Sequence, residues 1–306
     1  MSRHVVLGAG PVGRAIVDSL GARGIDVVVV TRSGTAVEGA RAEACDVLDT
    51  DRLASLLHGA DAVYQASQPE YHRWPREFPP MQASIVEAAS RSGAVLVAVE
   101  NMYAYGHVKG PLTEDLPLNA TTRKGAVRGR MWRDLEAAHA ASRVKVTAGR
   151  ASDFFGPFAH GSQVGERFFP PILKGGKAEV FGRVDARHSY TYVVDFGEAL
   201  VRLALDERSL GKAWHVPNAP APTNAEFLSL AAEIAGSEPR SVKRGAMALR
   251  MAGLFIPPAR ELVEMLYEFD DDFVVDHSAY AAVFGDHATP LRESLAATVA
   301  WWREHS

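Results

Sequence analysis

Cysteine is nearly absent from this chain: of 306 residues, only Cys45 carries a thiol. One thiol cannot close an internal disulfide or build a cysteine-rich zinc site, so the sequence reads as a protein of a reducing compartment. Long hydrophobic runs are lacking too. No uninterrupted apolar stretch approaches the roughly 20 residues of a membrane span, so no membrane partner is expected. A strand and a glycine turn begin within the first ten residues, where a secretory leader would place its charged and apolar regions, so no signal peptide is expected and the location reads as cytoplasmic. Charge of one sign is not in excess: 33 Lys and Arg stand against 37 Asp and Glu. That balance excludes a general nucleic-acid binder, which needs clustered cations for phosphate contacts. What is present is ordinary globular composition, 47% hydrophobic and 23% charged, in a chain long enough for one large or two medium domains.

The pattern along the chain is an alternation. His4 to Leu7 is a short apolar run ending at Gly8, and Arg14 to Ala22 has helical spacing. Ile25 to Val30 is a β-branched run. Helices are expected at Asp51–His58, Met81–Arg91 and Arg128–Ser142, and strands at Ala60–Ala66, Ala94–Val99 and Val144–Ala148. Strands alternating with helices predict an α/β fold: a doubly wound parallel sheet covered on both faces. After Arg150 the pattern loosens, punctuated by Pro157, Pro170-Pro171, Pro217 and Pro257-Pro258, with helices expected at Asp195–Asp206, Asn224–Ala235 and Leu291–Arg303. We expect an N-terminal nucleotide-binding layer and a smaller C-terminal part laid over the strand ends.

Gly8-x-Gly10-x-x-Gly13 lies between the first strand and the first helix. In that context each glycine has a reason: a tight turn, close approach of a pyrophosphate, and close packing of helix on strand, with the helix N-terminus facing the phosphates. Gly8, Gly10, Pro11, Val12 and Gly13 are therefore expected to bind a dinucleotide. An NAD site usually ends its second strand with an acidic residue for the ribose hydroxyls. Here Thr31-Arg32-Ser33 stands there, and Asp26 is at the wrong end of the strand. Arg32, with Ser33, could pair a 2′-phosphate as a planar bidentate donor, which favours NADP over NAD; the plain alternative is a surface arginine. Asp46-Val47 falls where an adenine would lie, or caps the next helix. Ala66 and Ser67 end the fourth strand, near the switch point.

These motifs, with Tyr105-Gly106, Leu112 to Pro117, Gly149 to Pro157 and His188 to Asp195 in order, resemble the extended short-chain dehydrogenase/reductase family of the NAD-dependent epimerase/dehydratase type. The resemblance covers nearly the whole chain and implies an NADP-binding Rossmann domain over residues 1–155, with a strand and a helix contributed from about 185–205, and a mainly substrate-binding C-terminal region over 156–306. It implies a Ser or Thr, a Tyr and a Lys as the catalytic group, the last two spaced four apart on one helix face, and dimerisation through two helices is common in such proteins. The sequence departs from that pattern. Gly125 to Trp132, where the pair should open the helix, has neither Tyr nor Lys, and Asn101 stands at the Ser/Thr position. The literal match Tyr105-x-x-x-Lys109 is interrupted by Gly106 and followed by Gly110-Pro111, so it reads as a loop without helical phase.

Other residues are therefore the candidates for chemistry. Tyr103 and Asn101, just beyond the fifth strand, could polarise a substrate oxygen, and Lys124 could reach the cofactor ribose or phosphates. Each has an ordinary alternative: a packed aromatic, a turn asparagine, a solvated lysine. Asp153 either lines the substrate cleft or caps a turn; Phe154 and His188 are expected near the substrate. Phe155, Phe168, Phe169 and Trp74 form a pocket wall or a core. Glu268 to Asp272, with Asp276 and His277, match no metal template and read as a solvated acidic loop, so no metal is expected. Two functions follow: an atypical NADP-dependent oxidoreductase or epimerase/dehydratase-like enzyme on a small organic, carbonyl or sugar-like molecule, or a non-catalytic NADP-binding sensor. A scaffold that binds no nucleotide is a distant third.

Overall fold

The β-branched run at residues 27–30 is buried on both faces, as a strand in the middle of a parallel sheet must be. It forms β2 (Asp26–Thr31) and pairs in parallel with β1 (Arg3–Leu7). A computed structural model of the chain describes residues 2–244 and 263–306; the Pro257-Pro258 pair lies outside the described residues. Around these two strands stand β3 (Arg41–Ala44), β4 (Ala62–Gln65), β5 (Val95–Asn101), β6 (Val146–Ala151) and β10 (Ala213–His215). They make one seven-stranded sheet in the order β3-β2-β1-β4-β5-β6-β10. Every pairing in it is parallel. The order reverses between β1 and β4, and that reversal opens a crevice at the strands' carboxyl ends.

Helices cover both faces. α1 (Pro11–Gly21) starts with Pro at its first turn, where a missing N–H costs nothing. It packs with α6 (Val193–Leu205) on one face, over a core of Val6, Ile16, Leu20, Val29, Phe196 and Leu200. α2 (Thr50–Leu57), α3 (Trp74–Ser92) and α4 (Arg123–Ala140) cover the other. The C-terminal part has its own core, built by α5 (Phe169–Leu173), α7 (Asn224–Ala235) and the closing helix Leu291–His305, with Phe155, Phe168, Phe169 and Trp302 inside. Its two small sheets, β7 (Asp153–Phe155) with β9 (Tyr190–Tyr192) and β8 (Ala178–Phe181) with β11 (Ser241–Arg244), are both parallel pairs. No helix among the described residues is long and apolar enough to cross a membrane.

Several elements differ from expectation. α3 begins at Trp74 rather than Met81, although Pro79 and Pro80 lie inside it. Burial of Trp74 and Phe78 against Met131 outweighs the main-chain hydrogen bonds those prolines forgo. α4 starts at Arg123, not Arg128, because the Thr122 hydroxyl caps it by accepting the Gly125 N–H at 3.2 Å. β3 has the sequence Arg-Ala-Glu-Ala with no β-branched residue. It is an edge strand held by its pairing with β2, and local propensity gave no hint of it.

Candidate functional site

A cavity of about 1390 Å³ runs along the carboxyl ends of β1 to β6 and under the C-terminal part. Its walls carry candidates from both halves of the chain.

At one end stands the glycine turn. Gly8 has φ +113°, and a Cβ there would come to 3.0 Å from the Ala66 carbonyl oxygen. A Cβ on Gly13 would lie 2.1 Å from the Gly8 carbonyl oxygen, so only glycine lets α1 close onto the turn. A Cβ on Gly10 would meet nothing within 4 Å. Gly10, Pro11 and Val12 line the open space together with Gly8, while Gly13 packs behind them. On the facing side Ala66 and Ser67 continue the wall, and the Gln65 Oε1 and Ser67 Oγ atoms are buried with no partner among the described residues. Unpaired buried oxygens beside an open glycine turn and a helix N-terminus are the chemistry a dinucleotide satisfies, so the residues fit such a cofactor.

Arg32 lines the cavity beyond β2 and is exposed. Ser33 lies outside the lining, and its hydroxyl sits 2.9 Å from the Thr35 hydroxyl. Asp46 and Val47 line the cavity; the Asp46 Oδ1 accepts the Leu48 N–H at 3.0 Å, so the carboxylate shapes its own turn.

Farther along, Asn101 and Tyr103 line the cavity beyond β5. The Asn101 Oδ1 accepts the Tyr103 N–H at 3.2 Å, which ties the two together. Tyr103 accepts the Tyr71 hydroxyl at 3.3 Å, and burial pushes both phenols well above their usual range. Both are therefore proton donors and not bases at neutral pH. Lys124 lies outside the cavity lining. It is fully buried at the start of α4, with its Nζ 3.0 Å from the Glu264 carboxylate and 4.4 Å from the centre of the Tyr71 ring. Tyr105 is buried away from the cavity. His215 Nδ1 lies 2.9 Å from the Asp276 carbonyl, which only accepts, so Nε2 takes the Tyr105 hydroxyl proton at 2.7 Å. Arg150 donates to the same hydroxyl at 2.6 Å. Gly106, at φ +72°, ends the short turn, and Lys109 is exposed, so Tyr105 and Lys109 share no helix face.

α4 contains no tyrosine. Arg128 faces the cavity from it instead, almost fully buried, with its Nη2 2.8 Å from Glu100 Oε1 and 2.8 Å from the Val99 carbonyl. Its guanidinium lies over Phe78, 4.8 Å from the ring centre. Burial raises Glu100, and the charges of Arg128 and Arg150 oppose that rise.

At the far end the structure brings together Asp153, Phe154 and His188, and adds a residue that sequence reasoning missed. Asp153 and Phe154 line the cavity; His188 is fully buried behind them. The Asp153 side chain caps no turn but meets His188 Nε2 at 3.0 Å. Glu268 was expected in a solvated acidic loop. It is instead 2% exposed, in the short helical turn Tyr267–Asp270, and lines the cavity. The apolar neighbours Leu266 and Phe269 pull the turn inward, and no local pattern in an acidic run distinguishes the one carboxylate between them. Asp271 and Asp272 do stay outside, paired with His107 and Arg187. Among the described residues no group of His, Cys, Asp or Glu is placed to hold a metal ion. Phe155, Phe168 and Phe169 belong to the C-terminal core, and Trp74 to the cavity wall.

Residues 4–216 match the model of the NAD dependent epimerase/dehydratase family. No curated protein matches the chain. Among solved structures it is similar to UDP-glucose 4-epimerase from Thermotoga maritima, at 21% identity and a TM-score of 0.78, with 99% of each chain covered. It is likewise similar to a dTDP-glucose 4,6-dehydratase from Streptomyces venezuelae solved with NAD bound, at 20% identity and a TM-score of 0.78, over 99% of this chain and 97% of that one. A third is UDP-glucuronic acid 4-epimerase from Bacillus cereus in complex with NAD, at 16% identity and a TM-score of 0.79, over 99% of both chains.

Proposed function

We propose that this chain, which belongs to the NAD dependent epimerase/dehydratase family, is a nicotinamide-dinucleotide oxidoreductase or epimerase/dehydratase-type enzyme acting on a small carbonyl or sugar-like molecule. The observation that carries the reading is the continuity of one cavity from Gly10 to Glu268. A dinucleotide at the glycine end and a second molecule at the carboxylate end would share the space between Ser67 and Tyr103. The solved relatives act, by their titles, on nucleotide sugars, which makes a sugar carbon the first substrate class to test.

When bound, the cofactor supplies or takes a hydride at its nicotinamide ring. The chain's own groups do the rest. The main-chain N–H groups at the start of α1 would hold the pyrophosphate, for which Gly10 leaves room. Gln65 and Ser67 offer oxygens for ribose hydroxyls. Tyr103 donates a hydrogen bond to a substrate oxygen. Asn101, its Oδ1 occupied by the main chain, contributes its NH₂ group.

NADP is our preferred cofactor, and Arg32 is the support for it: an exposed guanidinium at the cavity, where NAD sites place a carboxylate. Calorimetric titration with NADPH, NADP, NADH and NAD tests this. Arg32→Ala is expected to weaken NADPH about tenfold, roughly 1.4 kcal/mol, and to leave NADH unchanged. Equal effects on both would remove the preference, and no dinucleotide binding at millimolar concentration would overturn the whole reading. The second reading, a sensor that binds the dinucleotide without turning over substrate, draws on α4 lacking a tyrosine and on Lys124 lying outside the cavity lining. Oxidation of NADPH with a panel of ketones and nucleotide sugars separates the two.

A further inference from the structure

Three elements converge on the cavity end opposite the glycine turn. β7 brings Asp153, the segment leading into β9 brings His188, and the turn Tyr267–Asp270 brings Glu268. His188 Nδ1 lies 3.1 Å from the main-chain carbonyl of Glu268. A carbonyl only accepts, so Nδ1 carries a hydrogen. Nε2 lies 3.0 Å from Asp153 Oδ2, and a hydrogen bond there requires one proton between the two atoms. The imidazole cannot turn to another arrangement. Phe269 stacks on it at 4.8 Å and 5°, and Phe273 at 5.2 Å and 19°. Asp153 is therefore tied to a fixed proton partner, whereas the Glu268 carboxyl makes no hydrogen bond among the described residues and lines the cavity at 2% exposure. A buried, unpartnered carboxyl aimed into a cavity is a group with a ligand still to meet.

We propose that Glu268, with the Asp153–His188 pair beside it, is the acid/base residue of the cavity, and that it exchanges a proton with a carbonyl or hydroxyl oxygen of the substrate. The proposal rests on the oxidoreductase reading above. In the reductive direction the substrate carbonyl carbon receives a hydride, with both its electrons, from the reduced nicotinamide. The Glu268 O–H bond breaks and its proton moves to the carbonyl oxygen. An alcohol, an oxidised nicotinamide and a Glu268 carboxylate result, and the carboxylate regains its proton from water. The oxidative direction is the reverse.

The surroundings suit this role. Burial and the negative charge of Asp153 both push the Glu268 carboxyl well above the usual carboxylate range, which favours its protonated form. The other titratable groups around it are the hydroxyls of Tyr71, Tyr103 and Tyr267, all raised by burial and hence neutral. The Lys124–Glu264 ion pair packs on the Tyr71 ring. A carboxylic acid kept neutral in an apolar setting is a proton donor that needs no tyrosine–lysine pair.

The test combines infrared spectroscopy with kinetics. Wild-type protein at neutral pH is expected to show the carbonyl stretch of a protonated carboxyl. Glu268→Gln, a neutral near-isostere, should remove that band while leaving thermal stability and NADPH affinity unchanged. Asp153→Asn removes the neighbouring charge, so the band should titrate away at lower pH than in wild type. With the ketone or nucleotide sugar turned over fastest in the substrate screen, Glu268→Gln should lower kcat by about 10²–10³-fold with little change in KM. A band undiminished in Glu268→Gln, or a wild-type protein without one, overturns the proposal. Full turnover by Glu268→Gln also overturns it and leaves the oxidoreductase reading standing. If no dinucleotide binds to wild type, that reading falls first and the proposal with it, which the NADPH titration reports independently of the infrared band.

Discussion

Arg128 is a charged side chain in an almost fully buried setting. Its guanidinium and the Glu100 carboxylate are both almost fully buried, and Glu100 Oε2 and Arg128 Nε have no partner among the described residues. Removing one member of such a pair leaves an uncompensated buried charge, which costs about 3–5 kcal/mol; removing both costs much less. Arg128→Ala is therefore expected to lower the urea midpoint strongly, and adding Glu100→Gln should restore part of it. If the double variant is as unstable as the sum of the singles, the two side chains are not coupled. The sequence showed that a tyrosine was missing from this stretch of helix; it did not show that an arginine fills the space, because the partner, Glu100, lies on a different element, just past the expected strand end at Val99.

At the scale of elements, glycine marks where two backbones meet. Gly197 in α6 crosses α1 so closely that a Cβ would lie 2.5 Å from the Ala15 carbonyl carbon. Gly21, at the end of α1, has nothing within 4 Å of a Cβ. Gly197→Ala should destabilise by about 1–3 kcal/mol through overpacking, whereas Gly21→Ala should stabilise by up to about 1 kcal/mol from helix propensity. Both are read as shifts in thermal midpoint, and two shifts of the same sign would refute the packing argument. Periodicity placed α7 to the residue and α1 and α6 to within three, since their apolar stripes face a large core. The alternation at residues 188–192 marked β9, but periodicity failed on β3 and the short strands β7, β8, β10 and β11. These are three to four residues long, too short to show alternation, and pairing partners far away in the sequence define them.

The molecule as a whole should be less stable in acid for a reason located at His215. Burial lowers its pKa to about 4, against 6.5 for a free imidazole. The unfolded chain then binds more protons than the folded one between these values, so stability falls as pH drops from about 6.5 to about 4. The full effect is on the order of 3 kcal/mol. Burial lowers His4 and His287 too, in the same sense, while the raised Glu100 and Glu268 act in the opposite one. The contribution of His215 is isolated by comparison: urea stability of wild type should fall between pH 7 and pH 4 by about 3 kcal/mol more than that of His215→Gln. Equal losses in the two proteins would mean that the imidazole is not held neutral by the fold.

By itself the sequence determined the alternating α/β order, the glycine turn with its open Gly10, the basic end of β2 and the absence of tyrosine from the fourth helix. These are local properties: spacing, chain geometry and the presence or absence of a side chain are set by neighbours in the chain. The tertiary structure alone decided which charges are buried. It placed Arg128 against Glu100, carried Lys124 away from the cavity lining to Glu264, and turned Glu268, one carboxylate of an acidic run, into the cavity beside Asp153 and His188. The physical reason is that desolvation and charge pairing depend on what packs across from a residue, and at this site the partners lie 28 to 140 positions apart in the chain.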